Sequence, residues 1–533
     1  MLIESCRFAY RSGTAVSIAR SFGGIPVRVF TTIAALRCHL AQVTCSPETS
    51  LGYVATMGAL HAGHLSLMQR ARQENMWVVA SIFVNPLQFG PAEDLGAYPR
   101  DVENDRRLCE AAGVDILFMP TPEELNLDRT AGIQTQNTLV VVPESMKSQL
   151  CGALRPGHFE GVATIISKFF NLIQPTRAYF GQKDAQQLAV VSRMVKDLNI
   201  PIEIIRCPIV RESSGLAMSS RNTYLNAEQK EDAAILYQSL KQADHLFKTG
   251  ELRSSILIQA VKTEFEKSKS LTLEYIALVD PTTLQPIASI EENGLLAIAA
   301  KIGKTRLIDN LLLRTRKPIM AIDGPAGAGK SSVTKLVAKE LGLFYLDTGA
   351  MYRAITWLVM NSGIAIPDEP AIAELVGNCD IQLTEEAVSI NGHIITDAIR
   401  TPEVTANVSA VAAQVAVRQA LVQQQRECSR RGGVVLEGRD IGTHVFPDAE
   451  VKVFLTATVQ ERARRRQSDL QRQGQSVPDL NDLITSIAER DAKDSTRAIS
   501  PLKQAVDAVE VVTDGMTIEA VVAKLVGFYR DLK

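Results

Sequence analysis

The stretch from Ile319 to Ser332, IMAIDGPAGAGKSS, restricts what this chain can fold into more than any other. An apolar run, IMAI, enters a glycine-rich turn, and the helix-forming SVTKLVAKELG follows. Gly324, Gly329, Lys330 and Ser331 satisfy the spacing G-x-x-x-x-G-K-[ST]. Glycines there let backbone N–H groups close around phosphate oxygens, the helix start adds positive potential, and the lysine reaches the outer phosphates. Gly327 and Ser332 belong to the same cradle, and Ser331 is the hydroxyl placed to meet the Mg²⁺ that travels with ATP. A strand of this kind opens its own domain, yet 318 residues precede it. At least one further domain must lie upstream, with the boundary just before Ile319. The length of 533 residues agrees, because single cores stop growing at roughly 250–300 residues.

The upstream half alternates strand and helix. GYVAT (52–56), WVVASIFV (77–84) and VDILFM (114–119) read as buried strands, and TIAALRCHLAQ, LSLMQRARQEN and the 103–112 region as helices. That alternation predicts a parallel sheet covered on both faces, with ligands beyond the carboxyl ends of its strands. Three polar clusters fall at such ends: His61 with His64, Asn85 with Gln88, and Gly181-Gln182-Lys183-Asp184 after RAYF. Two imidazoles at a strand-to-helix junction can stabilise charge on an α-phosphate, and Gly58 and Gly63 allow close backbone approach. By itself an H-x-x-H pair suits a metal or plain packing as well. AMSSRN (217–222) adds hydroxyls and an arginine that suit a departing pyrophosphate. Gln187, on the helical DAQQLAVVSRMVKDL, reads alone as a solvated face. Lys183 and Asp184 could form a helix N-terminal cap pair, and His158 in RPGHFEG reads as structural.

H-x-G-H with a downstream S-S-R loop resembles the adenylate-forming nucleotidyltransferases related to class I aminoacyl-tRNA synthetases. TMGALHAGHLSL, SIFVNPLQFGPAEDLGAYPRD, LCGALRPGHFEGVATIISKFFNLIQP, FGQKDAQQL and PIVRESSGLAMSSRNTYL are together similar to the pantothenate synthetase (pantoate–β-alanine ligase) family. The resemblance implies a Rossmann-like nucleotidyltransferase domain over 27–225, and a small α+β subdomain over 226–312 that closes on the nucleotide site. It implies a pantoyl adenylate made from ATP and pantoate, then attacked by β-alanine. Met57, Gly58, Ala59, Leu60, His61, Ala62, Gly63 and His64 would bind ATP, with Gly181 to Asp184, Val210, Met218, Ser219, Ser220 and Arg221. Gln88 and Gln187, with Asn85, would hold pantoate. His64, His61 and Lys183 would be the catalytic groups. After Leu225 a long helical stretch to about Lys267 is expected, then the strands LEYIALVD (273–280), ASI (288–290), LLAIAA (295–300) and TRLIDNLLL (305–313). LRTRKP (313–318), short, basic and ending in proline, reads as a linker.

The remainder, 319–533, reads as a second doubly wound parallel-sheet domain. DTGAMYRAITWL follows the strand FYL; DIQLTEEAVSINGHIITDAIR (380–400) alternates with period two around Asn391–Gly392, a hairpin turn. VVLEGRDIGTHVF (434–446) and VKVFLTA (451–457) are further buried strands. A basic run is usually a solvated face, but phosphoryl transfer needs arginines around its equatorial oxygens. Arg462, Arg466 and Arg497 are therefore read as a lid. IDGPAGAGKSS, YLDTGAMYR, EVTANVSAVA, EGRDIGTHVFPDA and RDAKDSTRAISPL resemble bacterial cytidylate kinases, which are P-loop nucleoside monophosphate kinases. On that resemblance Lys330 is catalytic, Arg353, Arg439 and Arg490 hold the CMP phosphate, Ser409, Arg418 and Asp440 read the cytosine edge, and Asp494 contacts the ribose. Thr348 and Lys493 are mild departures from the pattern.

The expectation is thus a single chain with two enzymes, using ATP with Mg²⁺ at both sites and no organic prosthetic group. Its partners are small molecules: pantoate, β-alanine, CMP and ATP. A net charge of −2 gives no general case for nucleic acid or an anionic membrane, and no apolar run approaches a membrane span. The eight cysteines are scattered without a CxxC pair, which argues for reduced thiols in the cytoplasm. Residues 1–26 read as a disordered extension, and homo-oligomerisation is left open. A P-loop GTPase is disfavoured by the lack of an N-K-x-D segment, a tRNA-binding module by the near-neutral charge, and a catalytically silent scaffold by His61, His64, Lys183 and Lys330.

Overall fold

The computed structural model describes residues 26–44, 49–90, 95–96, 98–127, 137–384, 387–472, 477–496 and 501–532. The expected extension lies outside them but for Pro26, as does Arg497 of the expected arginine lid.

Six strands form the first sheet: β1 Arg28–Phe30, β2 Leu51–Thr56, β3 Trp77–Ile82, β4 Ile116–Phe118, β5 Arg177–Gly181 and β6 Glu203–Cys207. Their order is β1-β4-β3-β2-β5-β6, parallel throughout. β2 and β3 are almost wholly buried, as strands covered on both faces must be. One face packs on Phe169, Phe170 and their neighbours, the other on Leu67, Met68 and Ala71. The carboxyl ends of β2, β3 and β5 therefore open side by side, where the three polar clusters lie.

The helical stretch expected after Leu225 is made of three helices, Ala227–Ala233, Ile235–Lys248 and Ser254–Phe265. Asn226 and Gln229 form a capping box that starts the first. Gly250, at φ +105°, takes a left-handed turn that a long helix cannot hold. They cover a three-stranded antiparallel sheet, β7 Leu271–Val279, β8 Asn293–Ile302 and β9 Thr305–Arg314, over their own core of Leu236, Leu240, Leu257 and Ile298. The expected strand ASI is only an isolated bridge between Ser289 and Arg253. β9 runs through Arg314, and four residues, 315–318, separate it from the next strand.

That strand is β10 Ile319–Asp323, followed by β11 Phe344–Asp347. The antiparallel insertion is β12 Ile381–Leu383, β13 Val388–Ile390 and β14 His393–Ile394. Asn391 and Gly392 both have positive φ, as a two-residue hairpin of primed type requires. β15 Val434–Gly438, β16 Val451–Thr456 and β17 Val509–Val512 complete a parallel sheet in the order β11-β15-β10-β16-β17. β10 is central and fully buried. The glycine-rich turn that follows it leads into the helix Lys330–Leu341.

Candidate functional sites

At the end of β2, Gly58 (φ +83°) and Ala59 (φ +50°) turn the chain sharply. The buried carboxylate of Asp105 holds that turn, accepting from Ala59 N at 2.9 Å and Leu60 N at 2.8 Å. A side chain at Gly58 would meet Asp105 Oδ2 at 2.9 Å. Asp105 lies 46 residues downstream of Ala59, and nothing local in the sequence marks it.

His61 is the N-cap of the helix Ala62–Glu74 and forms a capping box with His64. Its Nδ1 accepts from Gly63 N at 3.1 Å, while His64 Nδ1 accepts from His61 N at 3.4 Å. Each neutral ring must then carry its proton on Nε2, leaving a donor for a ligand. The rings lie 4.1 Å apart between centroids. Desolvation, then His61, then Lys183 push His64 down to about 3; desolvation and Lys183 push His61 down to about 4 against Asp184. At pH 7 both are therefore neutral hydrogen-bond donors.

Asn85 caps the turn Pro86–Gln88, accepting from Leu87 N and donating to Gln88 Oε1 at 3.1 Å and Gly161 O at 3.1 Å. Gln88 Nε2 points at Met57 Sδ, 3.0 Å away, so the first two clusters are joined. His158 has a part in this. Its Nδ1 faces Gln88 O at 2.8 Å and must donate to it, and its Nε2 accepts from Arg155 at 3.0 Å. The helix His158–Ile173 crosses this turn so closely that a Cβ on Gly161 would lie 2.3 Å from Leu87 O.

A cavity of about 810 Å³ lies between the six-stranded domain and the β7–β9 sheet. Lys183, Asp184, Gln187, Ser219 and Arg221 share its wall, so Gln187 faces a cavity and not bulk solvent. Asp184 stands at the N-cap position of its helix without a capping side-chain bond, so its expected capping role is not seen. Ser220 donates to Ala59 O at 3.0 Å, and Met218 N to Val210 O at 2.9 Å. These bonds tie the S-S-R loop to the histidine turn. From β9, Asn310 donates to Gln182 O and Lys183 O, and Asp309 forms a bidentate pair with Arg211. The sequence reading missed Asp309, Asn310 and Arg211.

In the downstream domain Gly324, Gly327 and Gly329 have φ of +150°, +77° and +86°. At Gly324 a Cβ would lie 1.9 Å from Leu455 O. Lys330 is buried, with Nζ donating to Gly324 O and Pro325 O at 2.8 Å each. Burial, then the Arg439 guanidinium, hold its pKa well below the usual lysine range, against Glu437 and Asp323. Ser331 donates to Glu437 Oε2 at 2.8 Å, and Tyr345 donates to the other carboxylate oxygen. Glu437, at the end of β15, is a further residue that the sequence reading missed. Its pairing with Ser331 supplies hard oxygen donors of the kind Mg²⁺ takes. Ser332 is exposed.

Arg439 pairs with Asp494 at 3.0 Å, so Asp494 here braces an arginine. Desolvation and Arg439 depress the pKa of Arg490, a crowding of cations that an anion relieves. Arg353 pairs with Asp347 at 3.1 Å. Asp440 and Arg418 form an ion pair and are both buried. Ser409 is exposed on its helix, and among the described residues no bond joins it to that pair. Of the arginine lid, Arg462 is buried beneath the phosphate loop, bonded to Ala457 O, Ala326 O and Asp491. Arg466 is exposed, while Arg465 reaches Ala328 O and Thr513. In this arginine-dense helix the buried apolar residues are Ala463 and Leu470, and their spacing does not single out Arg465.

Among the described residues no cluster of three or more His, Cys, Asp or Glu could hold a metal by itself, and no helix is long and apolar enough to cross a membrane.

The sequence profile of the pantoate-β-alanine ligase family matches residues 28–312, and that of cytidylate kinase matches 320–531. A bifunctional pantoate ligase/cytidylate kinase from Trichormus variabilis is 58% identical over 528 residues, covering 95% of this chain and 99% of that one. A protein of the same description from Synechocystis sp. is 52% identical over 513 residues, covering 95% and 99%. The solved pantothenate synthetase of Thermus thermophilus is 44% identical over 54% of this chain and 99% of its own, with a TM-score of 0.49.

Proposed function

The chain belongs to the bifunctional pantoate ligase/cytidylate kinase family, and on that premise we propose which residues carry each of its two ATP-dependent reactions. One half joins pantoate to β-alanine, and the other phosphorylates CMP. We assign the first to residues 27–312, divided near Leu225, and the second to 319–533.

In the ligase half, the pantoate carboxylate attacks the α-phosphorus of ATP. Pyrophosphate leaves, and pantoyl adenylate forms. The amine of β-alanine then attacks the acyl carbon, and AMP leaves with the bonding electron pair. The Nε2–H groups of His61 and His64 donate to the phosphate oxygens on which charge accumulates. Lys183 adds a positive charge across the cavity, and Ser219, Ser220 and Arg221 receive the pyrophosphate. Gln88, Asn85 and Gln187 orient pantoate, with His158 and Gly161 fixing the turn that carries the first two. Because the histidines are neutral, they act by hydrogen bonding to charge that develops in the transition state.

In the kinase half, the backbone of Gly324–Gly329 cradles the ATP phosphates, and Lys330 leaves its two carbonyl partners to reach them. A CMP phosphate oxygen attacks the γ-phosphorus, and ADP leaves. Arg439, Arg490 and Arg353 hold the CMP phosphate, while Asp440, braced by Arg418, accepts from the cytosine amino group. Arg462 and Arg465 stiffen the loop from below. Ser331 and Glu437 would hold Mg²⁺, which would supply charge neutralisation to the phosphates; at the ligase site the ion would come with ATP. The described cysteines are free thiols, which supports a cytoplasmic setting.

The observation that carries the ligase reading is that Lys183, Gln187, Ser219 and Arg221 share one cavity wall beside the histidine turn. Exchange of labelled pyrophosphate into ATP tests it. Exchange should depend on pantoate and proceed without β-alanine; an active enzyme that shows none would exclude a free pantoyl adenylate.

A further inference from the structure

The segment from Asp440 to Glu450 is anchored to both enzymes. At its start it belongs to the kinase. Asp440 pairs with Arg418, and the backbone N–H groups of Ile441 and Gly442 donate to the buried Asp323 carboxylate at 2.8 and 2.7 Å. Residues Ile441–Val445 form a π-helical turn, a rare geometry that recurs at functional sites. Arg426 clamps that turn, donating to Val445 O at 2.9 Å and His444 O at 2.7 Å.

Beyond this the contacts cross to the ligase. Glu203 opens β6, an edge strand of the ligase sheet. Its Oε1 lies 3.5 Å from His444 Nδ1 and 3.9 Å from Arg426, while Oε2 takes Arg177 Nε at 3.1 Å. At the other end of the segment, Asp448 accepts from Arg314 at 2.5 Å and faces Arg316 at 3.4 Å. Arg316 also pairs with Glu450 at 3.0 Å. Arg314 is the last residue of the ligase sheet. Elsewhere along the seam Arg430 pairs with Glu292, and Lys503 donates to Gln73 O. The strongest density of crossing charges thus falls on the one segment that begins with the group assigned to the cytosine edge.

We infer that the ligase half is a platform for the kinase: Glu203, Arg314 and Arg316 are positioning residues that fix the Asp440–Glu450 segment, and through it the recognition of CMP. They touch no substrate. Their action is to hold the far side of a turn whose near side carries Asp440. This rests on the assignment of Asp440 to cytosine, and the test separates the two claims.

The experiment uses the full chain with Glu203→Gln, Arg314→Gln and Arg316→Gln together, with KM for CMP, KM for ATP in the kinase reaction, kinase kcat and ligase rate measured in parallel. The five partly exposed ion pairs that these three residues make across the seam contribute modestly one by one, so KM for CMP should rise roughly three- to tenfold. Kinase kcat, KM for ATP and ligase rate should stay near wild type. A general loosening of the kinase would move kcat and KM for ATP as well, and that pattern would overturn the inference. Arg314→Gln with Arg316→Gln alone lies at the end of the ligase sheet and beyond it; it decides the matter should Glu203→Gln reduce ligase activity through Arg177. An unchanged KM for CMP in that pair would also overturn it. Asp440→Asn is the control. If it raises KM for CMP while the seam variants do not, only the platform fails; if it too leaves KM for CMP unchanged, the assignment of Asp440 fails first.

Discussion

Asp440→Asn strands a buried cation. Asp440 and Arg418 are 5% and 2% exposed. Apart from this ion pair, the guanidinium donates to Ala412 O at 3.3 Å and stands over the Tyr352 ring at 5.5 Å, while its Nε has no partner among the described residues. Breaking a buried pair by removing one charge costs about 3–5 kcal/mol. The amide oxygen can still accept one hydrogen bond, so the lower end, about 3 kcal/mol, is expected. For a domain of this size each kcal/mol moves Tm by roughly 2–4 °C, giving a fall of roughly 6–12 °C. The chain carries its own reporters. It has two tryptophans, Trp77 on β3 of the ligase and Trp357 on the helix Thr348–Asn361 of the kinase. With each tryptophan alone, through Trp77→Phe or Trp357→Phe, fluorescence melts follow one half at a time. The Trp357 transition should fall by that amount and the Trp77 transition should hold. A Trp357 shift under about 2 °C would show that Arg418 does not depend on Asp440, and the buried-pair reasoning would be wrong.

Three further outcomes are expected. His64 and His61 have folded pKa values of about 3 and about 4 against an ordinary 6.5, so the unfolded chain takes up their protons first; ligase stability is retained above pH 6.5 and lost as pH falls toward 4, by up to about 2 kcal/mol for His64 at pH 5. Urea midpoints read at Trp77 should therefore depend less steeply on pH in His64→Gln, and an identical slope would contradict the buried neutral imidazole. Gly161→Ala places a Cβ 2.3 Å from Leu87 O and must push the Asn85–Gln88 turn outward; KM for pantoate should rise on the order of tenfold with KM for ATP little changed. Glu437→Gln leaves Ser331 without its carboxylate, so half-maximal kinase activity should need several times more Mg²⁺ at an unaltered KM for CMP, and an unmoved Mg²⁺ titration would remove Glu437 from the metal site.

What the sequence discloses and what it hides have physical causes. The buried strands LGYVAT, WVVASI and IMAID are apolar over most of their length because both faces are covered, and each leads into a conspicuous polar cluster. Asn391–Gly392 declares its hairpin because both residues must take positive φ. Asp105, Glu437, Asp309 and Asn310 are different: each acts through a partner brought close only by the fold, and a lone acid or amide carries no periodic signal. Arg465 and Arg466 could not be ranked, since Ala463 and Leu470 are the only buried apolar residues of their helix and are too few to order the arginines between them. β17 lies at a sheet edge with one buried residue, Val511, too little for a strand pattern. The seam is equally silent, because Glu203, Arg314, Asp448 and Glu450 look like ordinary surface charges until the two halves meet.

The central claim is that a single chain carries two separate catalytic centres, one organised by His64 and the other by Lys330. Crossed inactivation tests it most directly. Purified full-length His64→Ala and Lys330→Ala are assayed for pantoate-dependent pyrophosphate release and for CMP-dependent ADP release. His64→Ala should lose the first and keep the second near wild type, and Lys330→Ala should do the reverse. Loss of both activities in either folded variant would contradict two separate centres, and retention of both would remove these residues from the chemistry.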